Sequence, residues 1–229
     1  MRFTAIMLRR RIFHVFITIL ILASGPLHAG AWLREPKTAF VSASTRLTAP
    51  PDDLGQAYSY NTFYGEYGVT EQLTLGLDLG QGSFGDSKQI GFIRLPLYQP
   101  DTGWRIATEL GFGASGVDLV IRPGLSIGRG TENGHGYGWQ AADLNITYYP
   151  STGHWDTKLD VTIGTALRKD RRWIMQIQTG QNHGADRFAR LAPSIVIPVR
   201  DTVHAEFGLS YGVLGEKSLG AMASIWMDF

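Results

Sequence analysis

Leu73-Thr74-Leu75-Gly76-Leu77-Asp78-Leu79-Gly80 alternates strictly, with leucine at every odd position and threonine, glycine or aspartate at every even one. Side chains of an extended strand point to opposite faces with a period of two. This stretch therefore makes a ribbon with one pure leucine face and one small or charged face. A helix would scatter the four leucines around its circumference.

The same code recurs downstream. Val117, Leu119, Ile121, Leu125 and Ile127 oppose Asp118, Arg122, Gly124, Ser126 and Gly128. Leu159, Val161, Ile163, Thr165 and Leu167 oppose Lys158, Asp160, Thr162, Gly164 and Arg168. Val203, Ala205, Phe207, Leu209 and Tyr211 oppose His204, Glu206, Gly208 and Ser210. Between the ribbons lie turn signals such as Thr70-Glu71, Pro100 to Gly103, Lys169 to Arg171 and Arg200 to Thr202. Longer stretches rich in Gly, Pro, Asp and Asn alternate with them: Pro50 to Gln56, Gly80 to Ser87, Pro150 to Asp156 and Gln181 to Arg187.

Strands placed between these signals number roughly twelve, with ten as the lower count. They cover 37–49, 57–69, 72–80, 89–98, 104–114, 117–128, 138–149, 156–168, 172–180, 188–199, 203–213 and 218–229. An even count brings both ends of the wall to one side, the periplasmic one in an exported barrel. Arg129 to Tyr137 is long for a periplasmic turn, and the connection near Ser115 is short for an outer loop. The spacing predicts an all-β chain, an antiparallel up-and-down transmembrane barrel with short periplasmic turns. Charged residues make up only 18% of the chain, and the polar faces carry Gly, Ser and Thr with isolated charges. A soluble sandwich would wet that face with many more Lys and Glu. Trp104 and Trp173 each follow a tight turn, as an interfacial aromatic girdle requires.

The N-terminus reads as a secretory leader. Arg9-Arg10-Arg11 precede an apolar run from Ile12 to Ala23, and a short polar stretch leads to Ala29-Gly30-Ala31. The apolar run is too short to span a bilayer as a helix. Cleavage is expected after Ala31, with the bond after Ala29 nearly as good, so 1–31 is the signal peptide and 32–229 the barrel domain. Losing Arg2, Arg9, Arg10 and Arg11 from 21 basic residues leaves 17 against 20 acidic ones, a formal charge of −3. The apparent basicity belongs to the leader and is no nucleic-acid footprint. With no cysteine there is no lipid anchor and no disulfide staple, so stability has to come from closure and burial.

The last strand, Leu219 to Phe229, has apolar residues at every second position back from a terminal phenylalanine. It resembles the C-terminal strand of bacterial outer-membrane β-barrel proteins, small porin-like barrels among them. The resemblance covers the mature chain at the level of architecture and names no specific family. It implies an outer-membrane location, contact with outer-membrane lipid, and recognition of Phe229 by the barrel assembly machinery.

If the Leu73 face meets lipid, alternation carries Asp78, Arg94, Arg105, Glu109, Asp118, Arg122, Lys158, Asp160, Arg168, Arg190, Glu206 and Asp228 into the lumen. A barrel of about twelve strands is wider than one that side chains alone fill. Inward glycines, including Gly76, Gly80, Gly124, Gly128 and Gly164, leave room for a narrow wet channel, although a glycine can also seat a neighbouring aromatic. The mixed signs leave selectivity open, and a closed barrel in which the charges pair across the lumen is the alternative. No connection is long enough for a folded plug domain.

An outer-membrane lipid hydrolase is a further alternative. His204 and Ser210 share one face but stand roughly 20 Å apart along a strand, too far for a triad. His183 beside Asn182 lies in a candidate outer loop, without a recognisable serine motif. His135 and His154 are isolated along the chain and suggest no metal. Gly80 to Asp86 (GQGSFGD) lacks the following helix and Lys-Ser/Thr of a phosphate loop. No catalytic residue and no cofactor is expected.

Overall fold

The computed structural model describes residues 30–49, 57–215 and 217–229. The leader up to Ala29 and the stretch Pro50 to Gln56 lie outside the described residues. Twelve strands follow one another: β1 (Ala39–Ala49), β2 (Tyr58–Thr70), β3 (Leu73–Gly82), β4 (Ser87–Tyr98), β5 (Trp104–Ser115) and β6 (Asp118–Asn133). They continue with β7 (Gly136–Tyr149), β8 (His154–Ala166), β9 (Arg172–Gln181), β10 (Phe188–Arg200), β11 (Val203–Leu214) and β12 (Leu219–Asp228).

Each strand pairs antiparallel with its sequence neighbours, and β1 closes the barrel on β12 from Phe40↔Asp228 to Ala49↔Leu219. Phe229 extends the seam, exchanging backbone hydrogen bonds with Ala39 at 2.9 and 3.0 Å. Closure leaves no free strand edge, so every backbone group of the wall has a neighbour to pair with. All twelve expected strands form. The doubtful stretch Arg129 to Tyr137 is the tip of the β6–β7 hairpin: pairing runs down to Asn133↔Gly136, with Gly134 and His135 making the turn. Gly116 and Val117 alone join β5 to β6 at the opposite end. The end that carries Ala39 and Asp228 is called the terminal end below, and its opposite the far end.

The alternation read from the sequence sorts the surfaces. Leu75, Leu77, Ile93, Phe112, Leu125, Ile163, Ile177, Phe207, Leu209 and Ile225 are all exposed on the outside, while Thr74, Ile90, Arg94, Arg122, Val196 and Glu206 are buried on the inside. A strand of about ten residues tilted by about 40° covers roughly 25 Å, the height of a bilayer's hydrocarbon. An uninterrupted apolar belt of that height belongs in lipid. Tyr67, Trp104 and Trp173 stand exposed toward the terminal end of the belt, and Trp155 and Tyr211 toward the far end.

Candidate functional site

Hydrophobic lipid-facing side chains contribute nothing to the interior, so the inward positions and whatever else enters the lumen make the site. One wall of the lumen, from β2 to β6, is a ladder of alternating charges. Arg34 Nε meets Glu66 Oε2 at 2.9 Å, and Arg94 Nη1 meets the other oxygen of Glu66. Arg94 and Arg122 share Glu109, each at 3.0 Å. Arg122 Nη1 continues to Asp78 Oδ2 at 2.5 Å, and Lys88 Nζ ends the chain on Asp78 at 2.8 Å. Arg34 also holds Asp228 at 3.1 Å. Tyr64 donates to Glu66 and accepts from Arg94, and Phe92 lies under both Arg94 and Arg122. Four cations face four carboxylates, and the ladder neutralises itself. Burial of these charges is tolerable because every one has partners.

The opposite wall differs. A cavity of about 710 Å³ opens in the far half of the barrel, bounded by Arg46, Lys88, Lys158, Arg190, Gln178, the aromatics Tyr58, Tyr60, Phe84 and Phe188, and small hydroxyl residues. Its lining contains four cations and no carboxylate. Lys88 and Lys158 turn toward Asp78 and Asp160, but among the described residues neither Arg46 nor Arg190 belongs to an ion pair. Ser44 and Arg46 also line a second cavity of about 330 Å³ that reaches toward the terminal end, past Asp143 and Glu206 to Trp139, Ile174 and Trp226.

There the lumen narrows on an apolar cluster of Ala31, Trp32, Trp139, Ala141, Ile174 and Val196, with Trp226 against it. Two of its members come from a segment that precedes the wall. Residues 30–34 run inside the barrel and 35–38 lead out to the rim: Gly30 lies beside Ser126 and Asp143, Trp32 lies on Gly128, Arg34 reaches Glu66 and Asp228, and the exposed Lys37 donates its amide to Gly68 O. A Cβ on Gly128 would sit 2.6 Å from the Trp32 ring, so only glycine leaves Trp32 its seat. Gly76 seats Phe92 and Gly164 seats Trp139 in the same way. These inward glycines are filled by aromatics and are not voids. The open lumen lies instead along β1, the far half of β2, and β7 to β12.

The expected lumen residues fall out as follows. Asp78, Arg94, Glu109 and Arg122 meet in the ladder. Lys158 and Arg190 line the cationic cavity, and Asp160 holds Lys158 at 2.6 Å. Glu206 accepts a 2.6 Å hydrogen bond from Ser194 and borders the second cavity. Asp118 accepts from Ser151 at the far rim, and Arg105 pairs in register with Gly128 near the terminal end. Arg168 is a correction: β8 ends at Ala166, and Arg168 stands exposed in the turn to β9, outside the wall. The alternation broke there because Lys169 and Asp170 take left-handed backbone angles, which end an extended strand.

His154 is not isolated in space. Its ring stacks on His183 at 3.4 Å, and Asp156 accepts the His183 amide, which makes a pair of rim imidazoles. Arg46, Glu66, Lys88 and Asp143 were missed although they obey the same alternation as Asp78; extending the parity count to every strand would have found them. Trp32 and Arg34 precede the first strand and belong to no period, so no pattern pointed to them.

No family model matches this chain, and no curated protein matches it. Solved structures do. The chain is similar to the NanC porin, with a TM-score of 0.63 at 6% identity over 82% of this chain and 98% of that one. It is similar to the KdgM porin, with a TM-score of 0.61 at 7% identity over 82% and 99%, a protein also solved in complex with disordered oligogalacturonate. An outer membrane channel from Pseudomonas putida F1 aligns with a TM-score of 0.52 at 11% identity, over 91% and all of its length. At these identities the likeness is one of fold.

Proposed function

We propose that this chain is a narrow channel of the bacterial outer membrane that passes small anionic polar solutes. The observation that carries this reading is the sorting of lumen charge. The ladder on β2 to β6 consumes its own carboxylates, and the far cavity is lined by cations alone, while Asp143 and Glu206 border the lumen toward the terminal end. A low-dielectric barrel wall focuses that positive field on the solute path and raises the local concentration of anions. Tyr58, Tyr60, Phe84 and Phe188 add flat faces on which a sugar ring can lie. A carboxylate-bearing saccharide suits both features, and the oligogalacturonate named with the KdgM porin is of that class.

The outer-membrane location rests on the apolar belt, the leader expected over 1–31 and the porin folds of the similar structures. Outer-membrane lipid is the partner of the belt. The exposed Phe229 at the end of the seam suits a signal read by the assembly machinery. No nucleic-acid partner and no enzymatic step enters this reading.

One observation favours the closed-barrel alternative: the Trp32, Trp139 and Trp226 cluster narrows the lumen. Single-channel recording of the folded protein in a planar bilayer separates the two. Discrete steps with a reversal potential on the anion side of a salt gradient are expected. A silent barrel, silent also as Trp32→Ala, would establish a closed cylinder. Phospholipase or lipid A deacylase activity that is lost in His183→Ala would replace both by the hydrolase.

A further inference from the structure

We propose that the exported chain begins at Gly30, and that its new α-ammonium is held in the middle of the lumen by Asp143. This inference is independent of whether the barrel conducts.

Three observations converge. Asp143 and Asp160 face each other as direct partners across β7 and β8, where like charges repel. Lys158 takes one oxygen of Asp160 and the Ser126 hydroxyl lies beside Asp143, yet the buried Oδ1 atoms of Asp143 and Asp160 have no well-formed hydrogen bond among the described residues. Lys158 is the one ion-pair partner of these two carboxylates among the described residues, so the pair can take a second cation. A buried carboxylate oxygen without a donor is costly enough to demand one.

Gly30 lies against that oxygen. A Cβ placed on Gly30 would stand 2.6 Å from both Asp143 Oδ1 and Ser126 Oγ. The nitrogen of Gly30 is bonded to the same α-carbon and lies about 2.5 Å from that Cβ position, so it is within about 5 Å of the carboxylate. As an amide this nitrogen carries no charge. As a chain terminus it supplies that second cation and up to three donors, close enough to reach Asp143 by a small rotation.

Gly30 sits level with the midpoints of β6 and β7, so an attached leader would start in the centre of a polar lumen while carrying the apolar run Ile12 to Ala23. Cutting after Ala31 is the better match to the A-x-A pattern, but it would discard two residues for which the barrel has built places. Ala31 is fully buried, its carbonyl accepts from Gln99 Nε2 at 2.8 Å, and Gly30 fits a gap that admits no side chain. The step is hydrolysis of the Ala29–Gly30 peptide bond by the endopeptidase that removes leaders after small residues, before the barrel folds. Water's oxygen joins the Ala29 carbonyl carbon to give a carboxylate. The C–N bond breaks, and the amide nitrogen gains protons to become the ammonium of Gly30.

The test starts from the full chain exported by a Gram-negative host and purified from its envelope. Intact mass and N-terminal sequencing should give Gly30; a chain beginning at Trp32, or one retaining the leader, overturns the proposal. Treatment of the folded protein with an amine-reactive ester near pH 7 should then modify the α-amine at least about tenfold more slowly than in the heat-unfolded protein. Equal rates would overturn its burial. In Asp143→Asn, which leaves the leader untouched, modification of the folded protein should accelerate several-fold. An unchanged rate in a folded D143N barrel would overturn the pairing, and if that variant does not fold, Ser126→Ala provides the same comparison.

Discussion

Glu66 accepts from two arginines and a tyrosine in a site almost closed to solvent. Replacing it by glutamine keeps the shape and removes the charge, leaving Arg34 with Asp228 and Arg94 with Glu109. Breaking a buried pair costs about 3–5 kcal/mol, and the surviving partners put Glu66→Gln near about 3 kcal/mol. Its urea midpoint for unfolding from phospholipid vesicles should fall accordingly; an unchanged midpoint would mean that water already screens the ladder. Arg46 and Arg190 contribute differently, because among the described residues neither is held in an ion pair. The double charge reversal Arg46→Glu with Arg190→Glu should move the reversal potential in a salt gradient from the anion side to the cation side, with little change in stability.

At the scale of the element, each strand serves two solvents at once. Odd positions of β3 meet lipid and even positions meet the lumen, so the cost of a substitution depends on parity and depth. Leu77→Arg, at mid-height on the lipid face, should destabilise the barrel by about 2–4 kcal/mol in vesicles. Val117→Arg, in the fully exposed connection at the far rim, should cost close to nothing in the same titration. Equal effects at the two positions would contradict the placement of the belt. Segment 30–38 is the element that breaks the scheme. It is too short for a plug domain, yet Trp32 and Arg34 fasten it to Gly128, Glu66 and Asp228 inside the wall.

For the whole molecule, closure through β1 and β12 should give a barrel that keeps its compact shape in cold detergent and migrates differently on a gel before and after boiling. The inner segment sets how much of that barrel is open. Trp32→Ala should raise single-channel conductance by roughly twofold or more without altering the gel shift. Gly128→Val, which takes away the seat of the Trp32 ring, should act in the same direction. A conductance that neither variant changes would place the constriction elsewhere, at Trp139 and Trp226.

The strand count, the closed antiparallel order and the sorting of faces were all legible in Leu73 to Gly80 and its echoes, because a period of two is a local property of an extended chain. Arg94, Glu109, Arg122 and Asp78 could be named as inward from parity alone. Their assembly into one neutral ladder could not, since it joins β2 to β6 through side chains whose reach depends on barrel curvature. The same holds for the inward glycines: the sequence shows an empty position, but only the neighbouring strand reveals the aromatic that fills it. The amino-acid order by itself determined a twelve-stranded barrel with a lipid face and a polar interior. Tertiary structure alone decided which interior charges cancel, which remain to face a solute, and that residues 30–34 return into the lumen. These depend on meetings between residues distant in sequence, as Arg34 with Asp228 shows, and no local period encodes such a meeting.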